Sequence, residues 1–200
     1  MTNKLTRSTF WLTYIGFSGL NTQGLSAPPY FLSFLITIST TFLADRTQQR
    51  GIIVMCTSVL GGAGYIMLAV GTTTAVRYAG VYLAAGGIFP TIANLLPWVL
   101  NNQGSDERRG AGVVLLNLIG QCGPLLGTRL YPRDERPAYT KGHSICAAFM
   151  FFTTVIAALL RTILAWENRK LDKKYGYIRN TGDGDRDASE DFGPNFRYVL

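Results

Sequence analysis

Residues 51–70 read GIIVMCTSVLGGAGYIMLAV, with no Asp, Glu, Lys or Arg among them. Twenty helical residues rise about 30 Å, the thickness of a bilayer's hydrocarbon core. A helix on the surface of a soluble protein carries charge on its outer face. A helix that is apolar all round needs either lipid or a large protein core.

The same pattern recurs on both sides of this stretch. The chain has 200 residues, 19 basic and 12 acidic, so an even spread would place a charge about every six or seven positions. Instead, charge is absent from residues 8–44, 51–76, 78–105, 110–128 and 142–160. A chain of this size has too little interior to bury five such helices in water. Mean hydropathy is only +0.16 because residues 167–200 carry 14 of the charges. The apolar segments contain Gly61, Gly62, Gly64, Gly86, Gly87, Gly112, Gly120, Gly123 and Gly127, together with Pro28, Pro29, Pro90, Pro97 and Pro124. In water these residues weaken helices. In lipid, small residues let helix backbones meet, and neighbouring helices satisfy the groups that proline frees.

The expected fold is therefore all-α and polytopic, with five transmembrane helices at about 27–44, 52–70, 77–100, 111–130 and 144–166. Residues 1–26 are expected to hold a partial sixth helix and an outer loop. The apolar run after Lys4 and Arg7 has no small-residue cleavage site, so it does not read as a removable leader. Residues 167–200, with seven basic and seven acidic side chains, are expected to form a solvated, largely disordered tail. If five spans alternate, loops 45–51 and 101–110 share one side with the tail. That side holds 11 basic residues against seven on the other, which places the C-terminus in the cytosol. Arg161, near the end of the last span, is expected to snorkel to that face, and Trp166 to sit at the interface. The cluster Arg169, Lys170, Lys173 and Lys174 is suited to anionic lipid headgroups.

Composition also excludes function classes. Cys56, Cys122 and Cys146 lie in separate apolar segments and form no Cys/His cluster. His143 is assigned to an outer loop, at the surface. No metal-ligand set, nucleotide loop or nucleophile–base pair is present, so neither a cofactor nor an enzymatic activity is expected. The basic excess sits in the loops between spans, where it sets topology, and does not imply nucleic acid.

The loop at residues 43–51 reads LADRTQQRG. It resembles the LADRxxxR form of the signature loop of the major facilitator superfamily, with Thr41 where that motif carries Gly. An acidic residue at a helix C-terminus opposes the helix dipole and needs a positive partner. Asp45, Arg46 and Arg50 are on that ground the expected gating loop. Other pieces resemble, in the right order, the fungal allantoate and nicotinate permease-like transporters of the anion:cation symporter branch. They are residues 16–30, Asn101-Asn102 with Arg108-Arg109, Tyr131 with Pro137 to His143, Trp166 to Lys170, and Asn195 to Tyr198. The resemblance implies the C-terminal half of that fold, with its eighth to twelfth helices present and an N-terminal six-helix half missing. It implies secondary transport of a small organic anion or vitamin-like solute, with or without a proton, by alternating access at the plasma membrane. The alternative is a truncated membrane protein that does not transport, either inactive or paired with another transporter half.

Polar residues within a span are costly and mark the faces that matter. Tyr30, Ser33, Thr37 and Thr41 share one side of the first span. Tyr82, Gly86, Pro90, Asn94 and Trp98 recur every four residues in the third, and Asn117 and Gln121 are four apart in the fourth. Tyr30, Thr37, Asn94, Trp98, Asn117 and Gln121 are the candidate substrate-binding residues. No Asp or Glu lies inside a span, so a coupling carboxylate would have to come from elsewhere.

Overall fold

A computed structural model describes residues 20–104, 106–132, 139–175 and 196–200. The described residues form six helices: α1 (Leu20–Thr47), α2 (Arg50–Val70), α3 (Thr74–Asn101), α4 (Asp106–Gly120), α5 (Cys122–Gly127) and α6 (Thr140–Tyr175). Five segments are long and apolar enough to cross a membrane, with α4 and α5 together making the fourth. The protein is an all-helical integral membrane protein. Large apolar side chains face outward on every span, among them Phe42 (66% exposed), Ile119 (71%) and Leu125 (72%). Lipid covers such surface at no hydration cost.

In space the helices run α1, α3, α2, α6, each packed on the next, and α4 touches the others only lightly. The tightest seam lies between α2 and α3. A Cβ added at Gly64 would collide with the backbone of Ala84, and one at Gly87 with the backbone of Gly61. Glycine at these crossing points lets the two backbones touch. Thr57 and Thr91 share a hydrogen bond of 2.8 Å across the same seam, and the hydroxyl that accepts it is free to donate to a carbonyl of its own helix. The apolar core lies at the end of the molecule nearest Asp45, where Val54, Trp98, Ala157 and Leu164 meet.

Proline accounts for two local features. Pro29 has no N–H, which leaves the Leu25 carbonyl one turn earlier without its helical donor. The Tyr78 hydroxyl donates to that carbonyl at 3.0 Å from the facing helix α3. Pro124 likewise deprives the Gly120 carbonyl, and the fourth span breaks there into α4 and α5. The turn at Gln121 keeps near-helical angles (φ −67°, ψ −16°), and its N–H still donates to Asn117 O at 3.0 Å.

Four expectations change. Helix α1 starts by Leu20, so the end of segment 1–26, expected to hold a partial helix and an outer loop, is continuous with the first span, and residues 1–19 lie outside the described residues. Ser26, Pro28 and Pro29 flank the expected boundary at residue 27, yet the helix runs through all three. Helix α6 continues to Tyr175, nine residues past the expected span end, because Glu167, Lys170 and Lys174 are good helix formers that need no lipid. Of the tail expected to be solvated, residues 196–200 pack against the helix ends, and 176–195 lie outside the described residues. His143, expected at the surface, is completely buried. Helix α6 begins at Thr140, which puts His143 in the first turn. There its ring meets Tyr131 (centroids 5.7 Å apart) and Tyr65 (6.4 Å).

Candidate functional site

The polar side chains of α1 and α3 face one another. Ser33 Oγ donates to the Ala85 carbonyl at 2.9 Å, crossing from α1 to α3. Thr37 Oγ1 turns back onto its own helix, donating to Ser33 O at 2.7 Å. Asn94 is wholly buried. Its Nδ2 donates to Pro90 O at 2.9 Å and reaches Thr40 Oγ1 at 3.5 Å. Its amide oxygen accepts no hydrogen bond among the described residues. A buried amide oxygen in that state needs a donor from water or a ligand, or it costs about 1–3 kcal/mol. Tyr30 lies higher on the same seam, 44% exposed, with its ring edge-on to Phe89 at 5.7 Å.

The remaining candidates stand apart from this cluster. Asn117 and Gln121 are exposed on a helix that packs on little else, and Asn117 Nδ2 donates to Val113 O at 2.9 Å. Trp98 sits at the foot of the α3 stripe, fully buried. Its indole N–H donates to Val199 O at 2.9 Å, so it closes the core and does not face the Asn94 seam. Thr40, which reaches Asn94, was missed by sequence spacing because Thr41 and Thr40 fit a helical stripe almost equally well.

At the Asp45 end, the turn between α1 and α2 is closed by residue 48. Gln48 adopts φ 54°, and its N–H bonds Ala44 O at 2.9 Å. This is the left-handed helix stop, usually filled by glycine. The turn brings Arg50 Nη2 onto Asp45 Oδ1. Arg50 is 8% exposed at its side chain and Asp45 55%, so the guanidinium is sunk and the carboxylate faces out. Arg46 is exposed. Arg161 Nη2, from α6, donates to Gln49 Oε1 at 2.9 Å and so ties the last helix to this loop. At the opposite end, Arg77 Nε donates to Gly71 O at 2.7 Å and caps the end of α2.

Known proteins give the same picture. The chain is 32% identical to the MFS transporter prlL of a fungal species over 168 residues, 82% of this chain and 34% of that protein. It is 25% identical to an uncharacterized transporter of Schizosaccharomyces pombe over 93% of this chain and 36% of the relative. It is 24% identical to the high-affinity nicotinic acid transporter of Saccharomyces cerevisiae over 94% of this chain and 36% of the relative. The chain is thus similar, over most of its length, to transporters of the major facilitator superfamily. It spans about a third of the length of the relatives it matches. No family profile matches it, and no solved structure does. The Asp45–Arg50 pair closes the turn between two packed membrane helices, within the loop that resembles the superfamily's signature.

Proposed function

We propose that this chain forms one wall of a secondary transporter for a small organic anion or vitamin-like solute, working by alternating access. The observation that carries the reading is the Asn94 amide oxygen, buried between α1 and α3 with no donor of its own among the described residues. A solute carboxylate would not bond that oxygen directly. Its protonated form, a ring N–H or a bridging water would. Tyr30, Thr37, Asn94 and, from the fourth span, Asn117 and Gln121 are the proposed contacts. Trp98 is assigned to structure, because its only polar group is held by Val199. The nicotinic acid transporter among the relatives supports nicotinate-like solutes as the first to test. The reading includes the plasma membrane, a cytosolic Asp45 end and a proton as coupling ion, the acidic group being supplied by a partner six-helix half.

The test is uptake of labelled nicotinate, allantoate and pantothenate by cells lacking related permeases. The chain is expressed alone and together with an N-terminal six-helix half. Uptake above vector, reduced tenfold or more by Asn94→Leu at equal protein level, is the expected result. Uptake at vector level under both conditions for every solute would sink it. Uptake only with the partner half is the outcome expected of one wall of a two-half transporter, in which the chain is inactive until paired. The light contact of α4 with the other helices supports that reading.

A further inference from the structure

Residues 196–200 do more than cover the core. In an extended strand, the N–H and C=O of one residue point to the same side, and those of the next residue to the opposite side. Tyr198 is held on one side by Asn168 of α6, whose Nδ2 donates to Tyr198 O and whose Oδ1 accepts from Tyr198 N, both at 2.8 Å. Val199 is held on the other side by Asn102, at the end of α3. Asn102 Oδ1 accepts from Val199 N at 2.8 Å and its Nδ2 donates to Val199 O at 3.2 Å. The Trp98 indole N–H shares the Val199 carbonyl. Leu200 O accepts from Gly51 N at 3.1 Å, satisfying one of the free N–H groups at the start of α2. Arg197 Nε donates to Asp172 Oδ1 at 2.7 Å. The side chains of Tyr198, Val199 and Leu200 pack on the core around Val54 and Trp98.

Two carboxamides thus grip two successive residues as strand edges would, and three helix ends contribute. This is the chemistry of an extended-peptide site: backbone bonds supply affinity and apolar contacts supply choice. We propose that the groove between the ends of α2, α3 and α6 is a peptide-binding site. It recognises the Phe-Arg-Tyr-Val-Leu segment by its backbone, and this chain's own residues 196–200 fill it reversibly. The occupied site straps α3 to α6 at the end where α2 begins. The inference stands on this geometry and does not depend on the transport reading.

The experiment uses the chain in lipid nanodiscs, first by hydrogen exchange and then by peptide binding. In the full chain, the amides of Tyr198 and Val199 exchange at least tenfold more slowly than those of an unfolded peptide of the same sequence. Asn168→Leu releases Tyr198, and Asn102→Leu releases Val199. A variant ending at residue 195 binds a fluorescein-labelled Phe-Arg-Tyr-Val-Leu peptide saturably. The full chain binds it at least tenfold more weakly, because the site is already filled, and so does the shortened variant carrying both Asn→Leu changes. Unprotected amides in the full chain would overturn the proposal even if the shortened variant failed to fold. So would peptide binding that ignores both asparagines. Protection that rises with protein density in the disc would assign the occupant to a second copy and overturn the within-chain form.

Discussion

Proline at position 29 and tyrosine at position 78 are 49 residues apart in the chain, yet one repairs the other. With its ring in place of an N–H, Pro29 leaves the Leu25 carbonyl facing apolar surroundings, and the Tyr78 hydroxyl is the donor that reaches it. Tyr78→Phe keeps the ring and removes the donor, so it should cost about 1–3 kcal/mol, read as a lower unfolding midpoint in detergent. A Tyr78→Phe midpoint equal to wild type would mean water does the same work. The Asp45–Arg50 pair gives a second prediction at this scale. Asp45→Asn strands a sunken guanidinium whose Nε and Nη1 already lack partners among the described residues. The cost should be about 1–3 kcal/mol, below that of a fully buried pair because Asp45 is half exposed. Adding Arg50→Gln should recover most of it in a double-mutant cycle. Such pairs were half legible in the sequence. The LADRTQQRG loop called for an arginine partner to Asp45 without saying which one, and helical spacing picked out Asn94. Asn102, Asn168 and Tyr198 were not legible as partners, because their bonds join residues 30 and 97 positions apart, which no local period encodes.

The glycines of the spans divide into those that touch a neighbouring helix and those that do not. Gly64 and Gly87 sit where two backbones touch, whereas Gly120 has nothing within 4 Å. Gly64→Ala and Gly87→Ala should each force the α2–α3 seam apart and cost about 1–3 kcal/mol, or more where the helices cannot shift. Gly120→Ala should be neutral or gain up to about 1 kcal/mol from helix propensity. Thermal unfolding of the three variants separates these outcomes, and equal midpoints for Gly64→Ala and Gly120→Ala would refute the seam. The existence of each span was readable because lipid excludes charge along its whole length. The span ends were not. Helix α1 enters without a charge to mark it, and α6 runs on into a charged stretch that is helical for reasons of propensity, independent of lipid.

The described residues form a row of four packed helices with a fifth span beside it. If the amide face of α4 lines a watery path, Asn117→Cys in a background lacking Cys56, Cys122 and Cys146 should react with a membrane-impermeant maleimide. Ile119→Cys, on the outward apolar side, should not. Equal labelling of both would remove α4 from the proposed wall, and slowing of the Asn117→Cys reaction by nicotinate would place the solute there.

The spatial order α1, α3, α2, α6 differs from the order in which a ribosome delivers the chain. Among the described helices α1 emerges before the others, yet its main neighbour is α3, which comes two spans later. Until α3 arrives, the Ser33 and Thr40 hydroxyls and the Leu25 carbonyl, bared by Pro29, lack their α3 partners. During synthesis α1 is thus a span in waiting, held by the insertion machinery or by borrowed water until α3 releases it into the bilayer.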